Sequence, residues 1–265
     1  MLSIEEIKLL IEKLEKVEKE DIQELIKSNL KILKDLESAV DANNRNLVDR
    51  YDKTPKWFIR DLENKRKNEQ VNDVLFRQVQ TKIFQFAKSI LYNSLEIGPG
   101  NGMFSKEFRA WNKNFFLDIL PMVEKPIRRR FNPLAQKKLT FYLTKDHECS
   151  NIPQSSCNFI FSWDTFVFFT ENHIQHYLHD LKRVLIPGGY VFIQYADCHY
   201  DHDLGLAQRG YWNYNTKSNM TKMIEEEGYE VVEMSQFQPG ANYAIFRKPG
   251  KQNPFLYRAS EITLD

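Results

Sequence analysis

The segment at residues 95–104, LEIGPGNGMF, combines an apolar run, an acid and three glycines. Glycines at Gly98, Gly100 and Gly102 allow the backbone to approach a ligand closely, where a Cβ would collide with it. Met103 occupies the position at which a dinucleotide-binding fingerprint requires its last glycine or alanine. The segment predicts a ligand site at a strand-to-helix turn, and its spacing disfavours a dinucleotide.

Two acidic residues accompany these glycines. A carboxylate at Glu96, beside the turn, would repel a pyrophosphate but suits a cationic ligand with an amino group or a sulfonium. Asp118 lies about 20 residues after Gly98, a spacing at which an acid can accept hydrogen bonds from both ribose hydroxyls. Taken singly, Glu96 could be a buried structural acid and Asp118 a helix cap. Together they indicate a cationic ligand that carries a ribose.

The densest group of titratable side chains lies at residues 194–203, QYADCHYDHD. Histidine is the side chain that most readily accepts a proton near neutral pH, so His199 is predicted as a general base, with Asp197 as its orienter or as an alternative base. A polar loop with solvated side chains is the competing interpretation. A divalent metal held by Asp197, Asp201 or His202 would lack a second carboxylate anchor, and no metal is predicted.

An aromatic segment, LGLAQRGYWNY, follows at residues 204–214. Aromatic rings interleaved with polar side chains suit a sugar, which offers apolar faces and hydroxyl edges. The same side chains could instead pack the loop against the core. The candidate acceptor contacts in this segment are Arg209, Tyr211, Trp212 and Asn213.

Short apolar runs that alternate with helices surround these segments and predict an α/β fold. Two closing runs, at 230–237 and 242–247, are separated by QPGA, which is too short for a crossover helix, so they must pair antiparallel. A helix that carries Phe104 and Phe108 is expected after the glycines. The five earlier runs, expected to be parallel strands, lie at 94–97, 115–118, 139–143, 158–163 and 190–195.

The N-terminal part differs from this pattern. Residues 1–42 carry two apolar stripes at helical spacing and predict a helical hairpin, followed by a polar linker at 42–54 and a helix near 71–91. The predicted organisation is a helical extension with its linker over 1–70, the α/β domain over 71–250 and a tail over 251–265. The extension could form a homodimer contact, an acceptor-side cap or a docking arm.

Composition restricts the classes of partner. The 265 residues contain 37 Lys and Arg against 36 Asp and Glu, a formal charge of +1, and this balance argues against nucleic acid as a substrate. No apolar run reaches the roughly 18 to 20 residues of a membrane span, and the N-terminus lacks a secretory pattern. The three cysteines suggest neither a disulfide framework nor a zinc site. A cytoplasmic protein is expected.

Over about residues 72–248, the chain resembles the class I S-adenosylmethionine-dependent methyltransferases. The glycine segment is similar to the first motif of that family, and LKRVLIPGG at 181–189 is very like its helix, turn and fifth strand. The resemblance implies a Rossmann-like seven-stranded sheet of order 3-2-1-4-5-7-6 with the last strand antiparallel. A departure is Cys157-Asn158, where many members have Phe-Asp. The implied contacts of S-adenosyl-L-methionine are Glu96, Gly98, Pro99, Gly100, Asn101, Gly102, Asp118, Asp146, His147, Ser162 and Trp163.

The run WDTFVFF at 163–169 is similar to bacterial methyltransferases of sugar and surface-glycan modification. This weaker resemblance implies O-methylation of a sugar hydroxyl, within a nucleotide-linked, capsular or lipopolysaccharide unit, with Asp164 among the acceptor contacts. Arg128, Arg129 and Arg130 could meet a phosphate of such a substrate or could simply be solvated.

Other functions stay open at this point. An N-methyltransferase of an amino sugar or small amine would need less from His199, because a neutral amine attacks without losing a proton first. A catalytically silent partner subunit, docked through residues 1–42, is a non-enzymatic alternative. A nicotinamide-dependent oxidoreductase is disfavoured by Glu96, Met103 and the closing antiparallel pair.

Overall fold

The structure is a computed structural model, and it describes residues 73–86, 91–108, 111–144 and 148–251, together with helical positions Lys8, Glu12 and Lys31. The chain divides into two units, Met1–Pro55 and Lys56–Asp265. The predicted hairpin and linker lie outside the described residues apart from those three positions, and so does the tail after residue 251. The described ranges contain no helix of the length and apolarity that crossing a membrane requires.

A seven-stranded sheet of order β3-β2-β1-β4-β5-β7-β6 forms the centre of the described part. The first five strands pair in parallel, and β7 is antiparallel to both of its neighbours. This order confirms the predicted architecture. The strands are β1 (Asn93–Ile97), β2 (Lys113–Asp118), β3 (Leu139–Leu143), β4 (Cys157–Ser162), β5 (Leu185–Gln194), β6 (Glu230–Gln236) and β7 (Asn242–Arg247).

Helices cover both faces of this sheet, so its central strands β1 and β4 are buried along their whole length. Single-turn 3₁₀ helices occupy Ser105–Phe108, Pro121–Val123 and Phe166–Phe168. The helices are α1 (Asp73–Phe86), α2 (Glu124–Arg128), α3 (Pro133–Gln136), α4 (Glu171–Val184), α5 (Asp201–Gln208) and α6 (Lys217–Glu226).

Alternation along the strands separates two hydrophobic cores. In β4, Phe159 and Phe161 face the core that contains Ile83 of α1, whereas Ile160 faces the core that contains Leu178 of α4 and Met220 of α6. Because β1 to β5 run in the same direction, their carboxyl ends lie at the same edge of the sheet. The segments that leave this edge carry the candidate site.

Three predicted boundaries are wrong in instructive ways. The expected helix after the glycines is only the single turn Ser105–Phe108, whose two buried residues lie three apart, as the 3₁₀ repeat requires. Strand β5 begins at Leu185 rather than at 190, because Leu185 pairs with Cys157 of β4 and the backbone of Gly188 and Gly189 pairs with Lys248. The segment expected to be a loop from 204 begins inside α5, whose first turn carries two acids that the helix dipole favours.

Candidate active site

The glycine segment forms a tight turn between β1 and the Ser105–Phe108 helix. Gly98, Gly100 and Gly102 all have positive φ, at 62°, 53° and 74°, which L side chains adopt only with strain. A Cβ on Gly98 would lie 2.2 Å from Thr165 Oγ1, and the Gly98 amide donates to the Leu117 carbonyl at 2.9 Å. The turn is thus held against the ends of both β2 and β4, and it requires glycine sterically as well as conformationally.

Glu96 lies buried in β1 beneath this turn. Ser105 Oγ donates a hydrogen bond to Glu96 Oε2 at 2.5 Å, which ties β1 to the single-turn helix after the glycines. Burial raises the pKa of Glu96 to about 8, although the Ser105 hydroxyl and the Arg130 charge act in the opposite direction. Burial thus favours the protonated form of Glu96.

Asp118 ends β2 beside the same turn. Its Oδ1 accepts the Leu120 amide at 2.9 Å. Burial raises the pKa of Asp118 to about 6, while hydrogen bonds from backbone groups of Leu120, Ile119 and Gly100 lower it. The Gly100 contribution places the carboxylate next to the glycine turn, where a ribose would lie in the predicted arrangement.

Arg130 is a part of this region that the sequence analysis did not assign. Its Nε donates to the Asn101 carbonyl at 2.7 Å, and a Cβ on Gly102 would come within 3.3 Å of its Cδ. The only sequence signal was the run of three arginines, which was interpreted as a phosphate contact or a solvated surface. Arg128, in contrast, pairs with Glu124 and lies over the Phe141 ring.

The predicted cofactor contacts after β4 have structural partners of their own. Ser162 Oγ donates to the Ile97 carbonyl at 2.9 Å and so joins the ends of β4 and β1. Trp163 is half-buried and packs its ring against Phe161, Phe192 and Phe237. These contacts fix the edge from which the next residues project. Asp146 and His147 lie outside the described residues.

Asp164 and Thr165 connect the glycine turn with the neighbouring strands. Thr165 Oγ1 donates to the Gly98 carbonyl at 3.3 Å. Asp164 is exposed with a φ of 57°, and its amide donates to Gln194 Oε1 at 2.6 Å. Gln194 Nε2 in turn donates to the Gly240 carbonyl at 2.7 Å, in the turn between β6 and β7. The ends of β4, β5 and this turn are thereby joined into one surface.

The predicted base and orienter are brought together, but against α6. Asp197 Oδ1 lies 3.1 Å from His199 Nδ1 and accepts the Lys217 amide, the first of α6, at 3.1 Å. Both residues line a cavity of about 700 Å³ whose other walls are Tyr200 and residues of α6 between Lys217 and Glu226. No residue of the glycine turn lines that cavity.

The four predicted acceptor contacts of the aromatic segment 204–214 divide into anchors and exposed groups. Asn213 is an anchor, because its backbone N–H donates to the Val167 carbonyl at 2.8 Å and its side-chain Nδ2 donates to the Phe168 carbonyl. Arg209 lies over the Tyr211 ring, 5.5 Å from its centroid, and Tyr211 is 53% exposed. Trp212 is half-buried and packs edge-on against His202, with ring centroids 6.1 Å apart.

A second pair of His and Asp lies on this surface. Asp203 is completely buried; its Oδ2 accepts the Asp197 amide at 2.9 Å and Asn242 Nδ2 at 2.5 Å. Its Oδ1 lies 3.0 Å from Nδ1 of His202, whose side chain is 48% exposed. From the sequence alone, His202 has a role only as a candidate metal ligand. Among the residues that the structure describes, no three His, Cys, Asp or Glu side chains are grouped as a metal site.

Comparison with known proteins agrees with this geometry. The methyltransferase domain family matches residues 38–234. A search of curated proteins found no match. Among solved structures, the methyltransferase in complex with the Trm112 activator from Haloferax volcanii is similar at a TM-score of 0.59 and 14% identity, over 76% of this chain and 98% of that one.

Two further structures extend the comparison. A SAM-dependent methyltransferase from Aquifex aeolicus has a TM-score of 0.53 and 16% identity, over 69% of this chain and 95% of that one. The geranyl diphosphate C-methyltransferase of Streptomyces coelicolor, in complex with Mg²⁺, geranyl diphosphate and S-adenosyl-L-homocysteine, has a TM-score of 0.53 and 8% identity, over 64% and 77%. At these identities the likeness concerns the fold alone.

The residues present fit S-adenosylmethionine. The positive-φ glycines keep the turn free of side chains, and Asp118 offers a carboxylate beside Gly100 for a ribose. The sheet order, with its antiparallel β7, is the one that the sequence resemblance implied. With a family match over most of its length, this chain belongs to the class I S-adenosylmethionine-dependent methyltransferases.

Proposed function

We propose that this enzyme methylates a hydroxyl group of a sugar, within a nucleotide-linked, capsular or lipopolysaccharide unit. The observation that carries the proposal is the surface on which an exposed carboxylate, Asp164, and an aromatic ring, Trp212, flank the β6–β7 turn. Gln194 bonds both Asp164 N and Gly240 O, and a Cβ on Gly240 would lie 3.4 Å from the Trp212 ring. An aromatic face beside a carboxylate suits a sugar, whose C–H face stacks while its hydroxyls donate.

The position of this surface next to the glycine turn supports its role as the acceptor side. Thr165 contacts Gly98 and directly follows Asp164. An acceptor bound at Asp164 would therefore lie at the same sheet edge as the cofactor. When bound, S-adenosylmethionine supplies an electrophilic methyl group on a sulfonium. Alignment of the acceptor by this chain would contribute on the order of 7 to 11 kcal/mol to lowering the barrier.

N-methylation of an amino sugar or small amine is the second candidate. The exposed Asp164 carboxylate favours it, since a carboxylate would also bind an ammonium group. The two reactions differ in their need for a base, because an alcohol must lose its proton as it is methylated whereas a neutral amine attacks without prior deprotonation.

The first experiment is calorimetric binding of S-adenosylhomocysteine, with NADH as the comparison ligand and Asp118→Ala as the control variant. We expect micromolar binding that Asp118→Ala weakens and no binding of NADH. Turnover is then measured as S-adenosylhomocysteine release with UDP-, GDP- and dTDP-linked sugars and with their amino-sugar counterparts.

The acceptor surface is tested in the same assay with Trp212→Ala and Asp164→Asn. Both should raise the KM for the sugar while leaving S-adenosylhomocysteine affinity within about twofold, because Thr165, which both variants retain, holds Gly98 of the glycine turn. Turnover of amino sugars alone would favour N-methylation. Absence of turnover with every sugar would contradict the proposed acceptor class.

A further inference from the structure

We propose that His202, oriented by the buried Asp203, is the general base that takes the proton from the acceptor hydroxyl. The proposal rests on the proposed O-methylation and identifies the group that this chemistry needs. It replaces His199, the histidine that the sequence favoured.

The surroundings of Asp203 leave one carboxylate oxygen for His202. Oδ2 already accepts the Asp197 amide from the end of β5 and Asn242 Nδ2 from β7. Oδ1 lies 3.0 Å from His202 Nδ1. A carboxylate can only accept here, so Nδ1 must carry the proton and Nε2 must carry the lone pair. The carboxylate that sets the tautomer and orientation of the ring is thus held by contacts from the segment after β5 and from β7.

The imidazole ring is enclosed on two sides and open beyond them. A Cβ on Gly240 would lie 2.6 Å from His202 Cε1, and Trp212 packs edge-on against the ring. Nevertheless the His202 side chain is 48% exposed. Half-exposure with Nδ1 engaged is the arrangement that a base needs, because it must be accessible to the acceptor while its orientation is maintained.

A continuous set of contacts connects His202 with the cofactor turn. His202 lies against Gly240, Gly240 O bonds Gln194, Gln194 bonds Asp164 N, and the adjacent Thr165 bonds Gly98 O. His202 therefore shares the acceptor surface with Asp164 and Trp212. His199, in contrast, lines the cavity along α6 together with Asp197. None of the residues in this set of contacts lines that cavity.

The methyl transfer needs only the acceptor, bound S-adenosylmethionine as the methyl donor, and His202 with Asp203. The acceptor oxygen forms a bond to the methyl carbon, and the carbon–sulfur bond breaks with its electron pair going to sulfur. The acceptor proton moves to His202 Nε2. The resulting imidazolium is stabilised by the Asp203 carboxylate until it releases the proton to water. A positioned base of this kind contributes roughly 10²- to 10⁴-fold to the rate.

The first test compares three histidine variants on the sugar with the highest turnover in the screen. His202→Asn should lower kcat at least about 100-fold with unchanged S-adenosylhomocysteine affinity. His199→Asn should lower it much less. His179→Asn is the matched control, because His179 also lies beside a carboxylate, Glu227, but on the surface of α4. An equal or larger loss in His199→Asn, or near-normal turnover in His202→Asn, would overturn the proposal.

The second test needs no acceptor and separates this proposal from the proposed function. Long-range ¹H–¹⁵N spectra of the histidine rings report which nitrogen is protonated, and the His202 signals are those lost in His202→Asn. The proposal expects the neutral ring to be protonated at Nδ1. A ring protonated at Nε2 would refute it even if sugars are methylated. If no sugar is methylated and Nδ1–H is observed, the acceptor class fails while the orientation of His202 by Asp203 is supported.

Discussion

The side of the site that carries the glycine turn (the cofactor side) and the side proposed to bind the acceptor (the acceptor side) are built in different ways. On the cofactor side, the glycine turn, Glu96 and Asp118 occupy a short stretch of sequence. The shape of the turn is determined mainly by the backbone conformation of its glycines. On the acceptor side, the decisive hydrogen bonds join residues far apart in the chain. The intervals are 39 residues for Asp203 with Asn242, 45 for Asn213 with Phe168, and 46 for Gln194 with Gly240.

Because of this difference, the two sides tolerate different substitutions. The cofactor side depends on glycines that cannot be replaced, but its geometry is specified locally. The acceptor side depends on several side chains from β5, α5 and the β6–β7 turn, so its geometry is specified by packing. Substitutions on the two sides should therefore separate cofactor affinity from acceptor turnover.

The largest effect is expected for Gly98→Ala. The added Cβ would lie 2.2 Å from Thr165 Oγ1 at a residue with positive φ, so the turn must move. Calorimetry should show S-adenosylhomocysteine binding weakened at least about 100-fold, or roughly 3 kcal/mol. Gly205→Ala in α5 is the control, because a Cβ there meets nothing within 4 Å. Comparable losses in both variants would deny the special role of the turn.

Gly240→Ala should break the acceptor side and spare the cofactor side. Its Cβ would displace the His202 ring, since it would lie 2.6 Å from Cε1. A displacement of about 1 Å at a catalytic group lowers turnover by up to about 100-fold. We expect kcat to fall roughly 10- to 100-fold while S-adenosylhomocysteine affinity stays within about threefold. A parallel loss of both quantities would show that the two sides are not separable.

Asp118 provides a pH test of the cofactor side. With a pKa of about 6, the carboxylate that is predicted to accept ribose hydroxyls becomes protonated as pH falls through 6. Affinity for S-adenosylhomocysteine should drop about tenfold between pH 7 and pH 5, and Asp118→Asn should be weak at both values. Because burial raises the folded-state pKa of Asp118, the contribution of this group to stability is fully present below its unfolded pKa. That contribution is lost as pH rises through about 6. The ligand-free Asp118→Asn protein should therefore melt higher than wild type at pH 7.

The smallest effect is expected for Glu96→Gln, which imitates the protonated acid. Burial raises the pKa of Glu96 to about 8, so its contribution to stability is lost as pH rises through 8. Wild-type Tm should fall between pH 7 and pH 9, and Glu96→Gln should reduce that fall by a few degrees, given about 2 to 4 °C per kcal/mol in chains of this size. Identical pH dependence in the two proteins would contradict the assignment.

Much of the fold could be predicted from local patterns. The bounds of β3 and β7 agree with the sequence prediction, and the antiparallel end of the sheet follows from a connection of only five residues between β6 and β7. Apolar alternation and turn residues act over a few residues, so they are legible without tertiary structure. The start of β5 differs from the prediction because its first residues are strand through pairing with Cys157 and Lys248, which are distant in the sequence.

The residues of the candidate site likewise divide into those that local sequence patterns predict and those that they do not. The sequence alone determined where a cofactor turn would lie, because glycine spacing and the distance to Asp118 express a local backbone requirement. It could not assign Arg130, whose partner is a main-chain carbonyl 29 residues away. Nor could it distinguish His199 from His202, since each stands close to an aspartate in the same segment.

Only the tertiary structure gives those two histidines different surroundings, on which the proposal of His202 rests. Asp197 receives the first amide of α6, which directs His199 to the cavity beside that helix. Asp203 is enclosed by β5 and β7, and Gly240 leaves space for the ring of His202. Such contacts depend on which strands become neighbours in the sheet. The sequence therefore determined the sheet and the glycine turn, whereas the packing of distant segments determined which histidine lies on the proposed acceptor surface.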